Sequence, residues 1–309
     1  MNEHAPIYID FLTGMSTTIT GAEFPPANRD ECAALNRLRA GCIVQATHFD
    51  ASGKPVSPSG WSALVARRAA ELKVPLIPLG HLGLTHSDEG FLVSRDLNKL
   101  QSGAEAQPYL DDASEVVYKL FDLTPAGSLG MKLHFTPSGE GMEMNKVAAR
   151  LTDTLEKICL LHEMGAHPTE IVGLAETGDF LIVKQPKARR RPYSQGLTTD
   201  EYRRWFEDER HEAIGQIKGV ECISRGLREK VVISAVDGNP WGIADLHERN
   251  IMLDATGRPT IIDALIGPVP SEALRVPAVA ESIHRALVWR RTGALPDKDR
   301  FDAGDDAEL

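Results

Sequence analysis

The sequence is poor in cysteine and has no long apolar run, which excludes two classes of protein. Its four cysteines, Cys32, Cys42, Cys159 and Cys222, form no Cys-x-x-Cys pair and no zinc-binding spacing. So few cysteines in 309 residues argue against a secreted fold held together by disulfides. No stretch approaches the apolar length that spans a bilayer, so no membrane-spanning segment is expected.

Basic charge is also scarce. Lysine and arginine number 34 against 44 aspartates and glutamates, which gives a formal net charge of −10 at pH 7. Nucleic acids and anionic membranes attract basic surfaces, so neither is an expected partner. The start of the chain lacks the basic and apolar regions of a signal peptide, so we expect a cytoplasmic protein. Hydrophobic residues at 42% and charged residues at 25% are ordinary for a globular protein.

The chain divides into four regions by composition and periodicity. Residues 1–91 are typical of a small α/β region, to which the sequence assigns no role. Residues 92–186 and 187–293 contain the longer periodic segments. Residues 294–309 are polar and acidic, and we expect a frayed tail. The fold class expected from this order is α+β.

In the second region, alternating apolar and polar residues predict a β-hairpin over 102–123. Residues 124–141 are rich in glycine and proline, which favours a loop. Apolar residues at steps of three and four predict a helix over 143–164. Two strands are predicted at 170–176 and 179–185, on either side of a Thr-Gly turn.

In the third region, residues 198–217 are predicted to form a helix that begins at Thr198 or Thr199. Residues 250–263 predict a hairpin that turns between Asp254 and Gly257. Residues 271–293 are predicted to be mainly helical.

The segment 241–267 carries the chemistry. It contains Asp-x-x-x-x-Asn, as Asp245 and Asn250, and a third polar side chain, Asp263, follows the predicted hairpin. The hairpin would bring the three side chains together. A carboxylate can orient and deprotonate an attacking hydroxyl, and Mg²⁺ prefers one or two such oxygen ligands beside phosphate oxygens. The pattern therefore indicates phosphoryl transfer.

Here the sequence resembles the protein-kinase-like superfamily, whose catalytic loop has the same Asp-to-Asn spacing and is followed by a metal-binding aspartate. The loop Ala244–His247 and the pair Gln185-Pro186 look like the kinase-like domains of polyvalent proteins from phages and mobile elements. The Asp-Leu-His form is similar to aminoglycoside phosphotransferases. The resemblance implies a two-lobed kinase-like fold with a shortened C-lobe. It further implies ATP and Mg²⁺ as cofactors, and a protein or small-molecule hydroxyl as acceptor.

The resemblance also implies roles for individual residues. Asp245 is the catalytic aspartate, Asn250 and Asp263 bind Mg²⁺, and His247 orders the catalytic loop. Lys119, on a predicted strand, matches the lysine that holds the ATP phosphates. Its glutamate partner on the following helix is taken to be Glu156, with Glu143 and Glu163 as alternatives.

The remaining nucleotide contacts are implied in the same way. Backbone groups near Lys184 and Gln185 would bind adenine, and Gly103 would lie in a turn that covers the phosphates. The chain departs from the family pattern in having no Gly-x-Gly-x-x-Gly, and Ile243-Ala244 replaces the His-Arg before the catalytic aspartate. A nucleotide-binding pseudokinase therefore stays open as an alternative. Transfer of AMP and a metal-dependent phosphoesterase that uses Asp245 and His247 stay open as well.

Overall fold

The structure is a computed structural model. It describes residues 76–87, 92–101, 103, 105–123, 128–149, 151–190, 198–227, 229–236 and 238–297. Most of the predicted α/β region at 1–91 and of the acidic tail lies outside these ranges. The described part is an α+β fold with three α-helices and sixteen strands, which confirms the predicted class. None of its helices is long and apolar enough to cross a membrane. The chain divides into two compact units.

The first unit comprises Met1–Met131, Ala148–His162 and Pro168–Lys187. Its described strands and helix are β1 (Leu76–Ile77), β2 (Leu84–His86), β3 (Leu92–Ser94), β4 (Asn98–Lys99), β5 (Gln107–Asp111), β6 (Val116–Asp122), α1 (Leu151–Met164, whose last residues belong to the second unit), β9 (Glu170–Ala175) and β10 (Phe180–Pro186).

A six-stranded sheet organises this unit, in the order β1-β9-β10-β6-β5-β4. Strands β1 and β9 are parallel, and the other neighbours are antiparallel. Strand side chains alternate between the two faces of a sheet, so Tyr118 and Leu120 share one face and Lys119 points to the other. Leu120 is buried in an apolar cluster with Tyr109, Val172 and residues around β1 to β3. Strand β6 thus has one face in a core and one face that carries Lys119.

The second unit comprises Lys132–Val147, Glu163–His167 and Ala188–Leu309. Its described elements are β7 (Met131–Ser138), β8 (Gly141–Ala148), α2 (Thr199–Gln216), β11 (Val220–Cys222), β12 (Val231–Val236), β13 (Asn239–Ala244), β14 (Ile251–Leu253), β15 (Pro259–Ile261), β16 (Leu265–Pro268) and α3 (Pro277–Thr292).

An antiparallel sheet with the order β11-β12-β13-β16 is the framework of the second unit. One core joins this sheet to the hairpin β7–β8 and to α3. Its buried residues include Leu133 and Phe135 from the hairpin, Ile233 from β12 and Ile283 from α3. The hairpin approaches the sheet so closely that a Cβ on Gly267 would lie 2.1 Å from the carbonyl oxygen of Leu133. Glycine is therefore required at this crossing.

Several predicted elements of the fold are confirmed. Strands β5 and β6 form the hairpin predicted over 102–123, and β9 and β10 are the two strands that follow. Helix α2 begins after Thr198, which caps it in a capping box with Glu201. The hairpin β14–β15 turns between Asp254 and Gly257 as predicted.

Two predictions about secondary structure were wrong. The helix predicted over 143–164 begins at Leu151, because residues 141–148 form β8 and pair with β7. Glu143 consequently lies on a strand and is not a helical alternative to Glu156. The loop predicted over 124–141 contains most of β7. The sequence also gave no indication of strands β11, β12, β13 and β16.

Candidate active site

Asp245 follows directly on β13, a strand whose last residues, Ile243 and Ala244, are fully buried. Its φ of 66° is left-handed, a conformation that the described part of the chain shows at two other non-glycine residues. Aspartate tolerates this conformation better than most residues, but it still costs about 1 kcal/mol. Non-glycine residues in sparsely populated conformations cluster at functional sites. The strand end and this turn place the Asp245 carboxylate at the surface, with 31% of its side chain exposed.

Asn250 connects the two aspartates of the predicted site. Its amide nitrogen Nδ2 donates to the main-chain oxygen of Asp245 at 2.9 Å and to that of Asp263 at 2.8 Å. The same nitrogen lies 3.2 Å from Oδ2 of Asp245. All three partners are acceptors, so the nitrogen must face them and the amide oxygen Oδ1 must face away. Asn250 is therefore a direct neighbour of both aspartates in the second unit, through the carboxylate and main chain of Asp245 and through the main chain of Asp263.

The hairpin β14–β15 sets the distance between Asn250 and Asp263. Ile251 pairs with Ile261, and the main-chain nitrogen of Ile262 donates to the oxygen of Asn250 at 2.9 Å. The hairpin turn is closed by Asp254, which accepts hydrogen bonds from the main-chain nitrogens of Thr256 and Arg258. Asp263 lies two residues after the end of β15 and is exposed.

His247 forms hydrogen bonds within the loop between Asp245 and Asn250. Its main-chain nitrogen donates to the oxygen of Asp245 at 3.0 Å, and its ring nitrogen Nδ1 accepts from the main-chain nitrogen of Arg249 at 3.1 Å. The other ring nitrogen, Nε2, lies 3.7 Å from Oδ2 of Asp245. From outside the loop, Tyr202 of α2 donates its hydroxyl to the carboxylate of Glu248. The loop is thus held by His247 from within and by Tyr202 from outside.

Lys146 is a neighbour of Asp245 that the sequence did not indicate. Its ammonium lies 3.5 Å from Oδ1 of Asp245 and 3.0 Å from Oε1 of Glu229. Burial alone would lower the pKa of this ammonium, but the hydrogen bond to Glu229 and the charges of Asp245 and Glu229 outweigh burial and raise it. Lys146 lies on β8, inside the segment predicted as helix, so its proximity to Asp245 could not be read from that prediction.

The residues of this cluster are chemically suited to Mg²⁺ beside a polyphosphate. Oδ1 of Asn250 and the exposed carboxylate of Asp263 are hard oxygen ligands on neighbouring ends of one hairpin. In the part of the chain that the structure describes, no three His, Cys, Asp or Glu side chains lie close enough to hold a metal by themselves. A partial ligand set suits Mg²⁺, which keeps waters and takes phosphate oxygens. This partial ligand set gives no support to the alternative of a phosphoesterase with a metal site at Asp245 and His247.

The other predicted site residues lie in the first unit. Lys119 is half-buried on β6, where it pairs with Val183 of β10 on one side and Pro108 of β5 on the other. Glu156 lies on α1. Its neighbour Lys157 is almost fully buried and forms an ion pair with Glu105. Roles in ATP binding for Lys119 and Glu156 stay predictions.

The segment predicted to bind adenine is the end of β10. Lys184 forms an ion pair with Glu170 at 3.2 Å, and the buried side chain of Gln185 donates to Thr169. Pairing of β10 with β9 ends at Lys184, whereas pairing with β6 continues to Pro186. Gly103 is exposed, with space around the position of a Cβ, and its neighbours Ser102 and Ala104 lie outside the described residues.

Comparisons of the chain with protein-family models, with curated proteins and with solved structures found no match.

Proposed function

We propose that this protein is an ATP- and Mg²⁺-dependent phosphotransferase with a two-lobed kinase-like fold and a shortened C-lobe. It would move the γ-phosphoryl group of ATP to a hydroxyl of a protein or a small molecule. The observation that carries the proposal is the bonding of Asn250, whose one amide nitrogen holds Asp245 and Asp263 beside each other. The spacing of these three residues in the sequence predicts that they lie side by side. Phosphoryl transfer depends on such positioning of the reacting groups.

Asp245 is the group that orients the acceptor hydroxyl. The hydroxyl oxygen forms a bond to the γ-phosphorus while the bond from that phosphorus to the bridging oxygen breaks, and ADP leaves. The hydroxyl proton passes to a carboxylate oxygen of Asp245. His247 and Asn250 restrain the loop so that this carboxylate keeps its position. The protein does little covalent work in such a reaction, so accurate positioning carries most of the rate enhancement.

Asn250 and Asp263 would hold Mg²⁺ through Oδ1 and a carboxylate oxygen. When bound, Mg²⁺ neutralises charge on the phosphate oxygens. The amide orientation of Asn250 supports this assignment, since its nitrogen is used by the protein and its oxygen is turned away. Exposure of Asp263 supports it as well.

The order of elements along the chain supports nucleotide binding by the first unit. Lys119 is carried by the interior strand β6, and α1, β9 and β10 follow after the hairpin β7–β8. Apart from that hairpin, this is the order of lysine strand, helix and two strands that the resemblance requires. Backbone groups near Lys184 and Gln185, at the end of β10, would bind adenine. Lys119 would bind the α- and β-phosphates, and Glu156 would orient it.

The test is ATP turnover by the purified protein with Mg²⁺ and a cell lysate or water as acceptor. Asp245→Asn and Asp263→Asn should each reduce turnover at least about a hundredfold, because each removes a charge that acts on the reacting groups. Asp208→Asn, an exposed position on α2, is the matched control and should retain the parent rate. Equal rates in Asp245→Asn and Asp208→Asn would contradict the proposal.

A nucleotide-binding module without turnover is the second candidate. The observation in its favour is that Lys146 and His247 already neighbour the carboxylate of Asp245. A thermal-shift measurement separates the two. Stabilisation by ATP and Mg²⁺ with no labelled product would support the module, and labelled product would support the enzyme. The mass added to the product distinguishes phosphoryl from adenylyl transfer.

A further inference from the structure

Lys146 comes to the catalytic loop from a different part of the chain. It lies on β8, and the hairpin β7–β8 is fixed to the second unit by its buried residues Leu133, Phe135 and Met142. A main-chain hydrogen bond from Met142 to the oxygen of Arg225, 3.0 Å long, secures the start of β8. The strand that carries Lys146 is therefore anchored to the unit that contains Asp245.

Lys146 completes a set of contacts that surrounds the Asp245 carboxylate. Oδ1 faces the Lys146 ammonium at 3.5 Å. Oδ2 faces Nδ2 of Asn250 at 3.2 Å and Nε2 of His247 at 3.7 Å. A carboxylate with neighbours on one oxygen can swing about its terminal bond, whereas neighbours on both oxygens fix its plane. Lys146 is the neighbour that restrains Oδ1.

Glu229 restrains Lys146 in turn. Its carboxylate lies 3.0 Å from the Lys146 ammonium, closer than the carboxylate of Asp245. A lysine side chain alone is flexible, and a second anion limits the positions that its ammonium can occupy. The charges that face one another here are Lys146 from β8, Glu229 from the segment before β12, and Asp245 and His247 from the catalytic loop.

The kinase pattern places an arginine just before the catalytic aspartate, and this chain has Ala244 there, fully buried and apolar. The catalytic loop therefore has no cation of its own at that position. A surface ion pair such as Lys146 with Asp245 contributes little to stability, typically less than about 1 kcal/mol.

We propose that Lys146 is a positioning residue for phosphoryl transfer, which fixes the Asp245 carboxylate for the acceptor hydroxyl and is itself held in place by Glu229. This inference rests on the proposed function. Lys146 acts through Asp245 and is distinct from Lys119, to which nucleotide binding is assigned. Loss of Lys146 should therefore slow the reaction without weakening the binding of ATP.

The experiment measures ATP turnover with Mg²⁺, the KM for ATP and the unfolding midpoint in four variants. Lys146→Met should lower kcat at least about tenfold and leave KM within about twofold, because orientation of a reacting group is lost and nucleotide contacts are kept. Lys146→Arg keeps a cation and should recover most of the rate. Glu229→Gln loosens Lys146 and should lower kcat by a smaller factor. Lys230→Met removes an ion pair with Glu207 elsewhere in the unit and should retain the parent rate.

The outcomes separate this inference from the proposed function. A parent protein that turns over no ATP would overturn both. An active parent with equal kcat in Lys146→Met and Lys230→Met would overturn the role of Lys146 alone. If Lys146→Met and Lys146→Arg lost equal factors in kcat and both had a lower unfolding midpoint, Lys146 would have a structural role. That result would overturn the inference as well.

Discussion

The side chain of Asn250 donates its amide nitrogen to the main-chain oxygen of Asp263 at a distance of 2.8 Å. With the bond to the main-chain oxygen of Asp245, this fixes the end of β13 relative to the end of β15. Asn250 is also buried. The residue proposed to bind Mg²⁺ through its oxygen is thus also the residue that assembles the site through its nitrogen.

Asn250→Ala should therefore affect stability as well as activity. The main-chain oxygens of Asp245 and Asp263 each lose one hydrogen bond, at a typical net cost of about 0.5–1.5 kcal/mol each. Denaturant unfolding should show a lower midpoint, and Mg²⁺-dependent turnover should be lost. Asn145→Ala, an exposed asparagine on β8, is the matched control and should leave both unchanged. An Asn250→Ala protein as stable as the control would contradict the structural role.

The left-handed backbone at Asp245 should make the variants Asp245→Ala and Asp245→Gly differ in stability. At φ 66° a Cβ is strained, and glycine is not. Asp245→Ala and Asp245→Gly lose the same contacts to Lys146, His247 and Asn250, so these losses cancel in a comparison. Asp245→Gly should be the more stable of the two by about 1 kcal/mol, although glycine is more flexible in the unfolded chain. Chemical denaturation of both variants measures the difference, and an equal or lower stability of Asp245→Gly would show that the backbone is not strained.

The hairpin that holds Asn250 and Asp263 could be predicted because its signals are local. Its turn runs from Asp254 to Gly257, and its strands are short apolar runs on either side. The hairpin β7–β8 has an equally local signal, since Leu133 and Phe135 alternate with polar residues and are buried. Its prolines and glycines led to the prediction of a loop, and the helical spacing after Leu151 was extended too far toward the N-terminus.

The neighbours of Asp245 from outside its loop could not be predicted. Lys146 lies far from Asp245 in the sequence, and no periodic pattern pairs the two residues. Their proximity depends on the packing of β7 against β16, where Gly267 leaves space for the backbone of Leu133. Strand β12 is buried along its whole length and is apolar apart from Ser234, and such a run does not distinguish a strand from a helix by period.

Gly267→Ala tests that packing. Its Cβ would lie 2.1 Å from the carbonyl oxygen of Leu133, so the backbone of β7 would have to move. Overpacking of this kind costs about 1–3 kcal/mol, and it should also lower turnover because Lys146 is carried by the same hairpin. Gly215→Ala on α2 is the control, since its Cβ would meet no atom within 4 Å. This control should gain up to about 1 kcal/mol in helix stability, and thermal unfolding of both variants measures the contrast.

The interactions of the Glu207 carboxylate should make the stability of the second unit depend on pH. Glu207 lies on α2, away from the candidate active site. Lys230 donates to its carboxylate at 2.8 Å, and this hydrogen bond, with the charge of Arg210, holds the pKa of Glu207 below its usual value of 4.5. A carboxyl with a lowered pKa in the folded state stabilises that state above the pKa of the unfolded chain. The contribution is lost as the pH falls through the folded-state pKa, because the unfolded chain takes up the proton first.

One-third of the side chain is exposed, so solvent screening limits the effect to about 0.5 kcal/mol. Glu207→Gln should therefore be less stable than the parent at pH 7, and the difference should shrink as the pH is lowered below 4.5, as measured by urea unfolding over this range. A difference that did not shrink in acid would mean that the carboxylate charge is not its source.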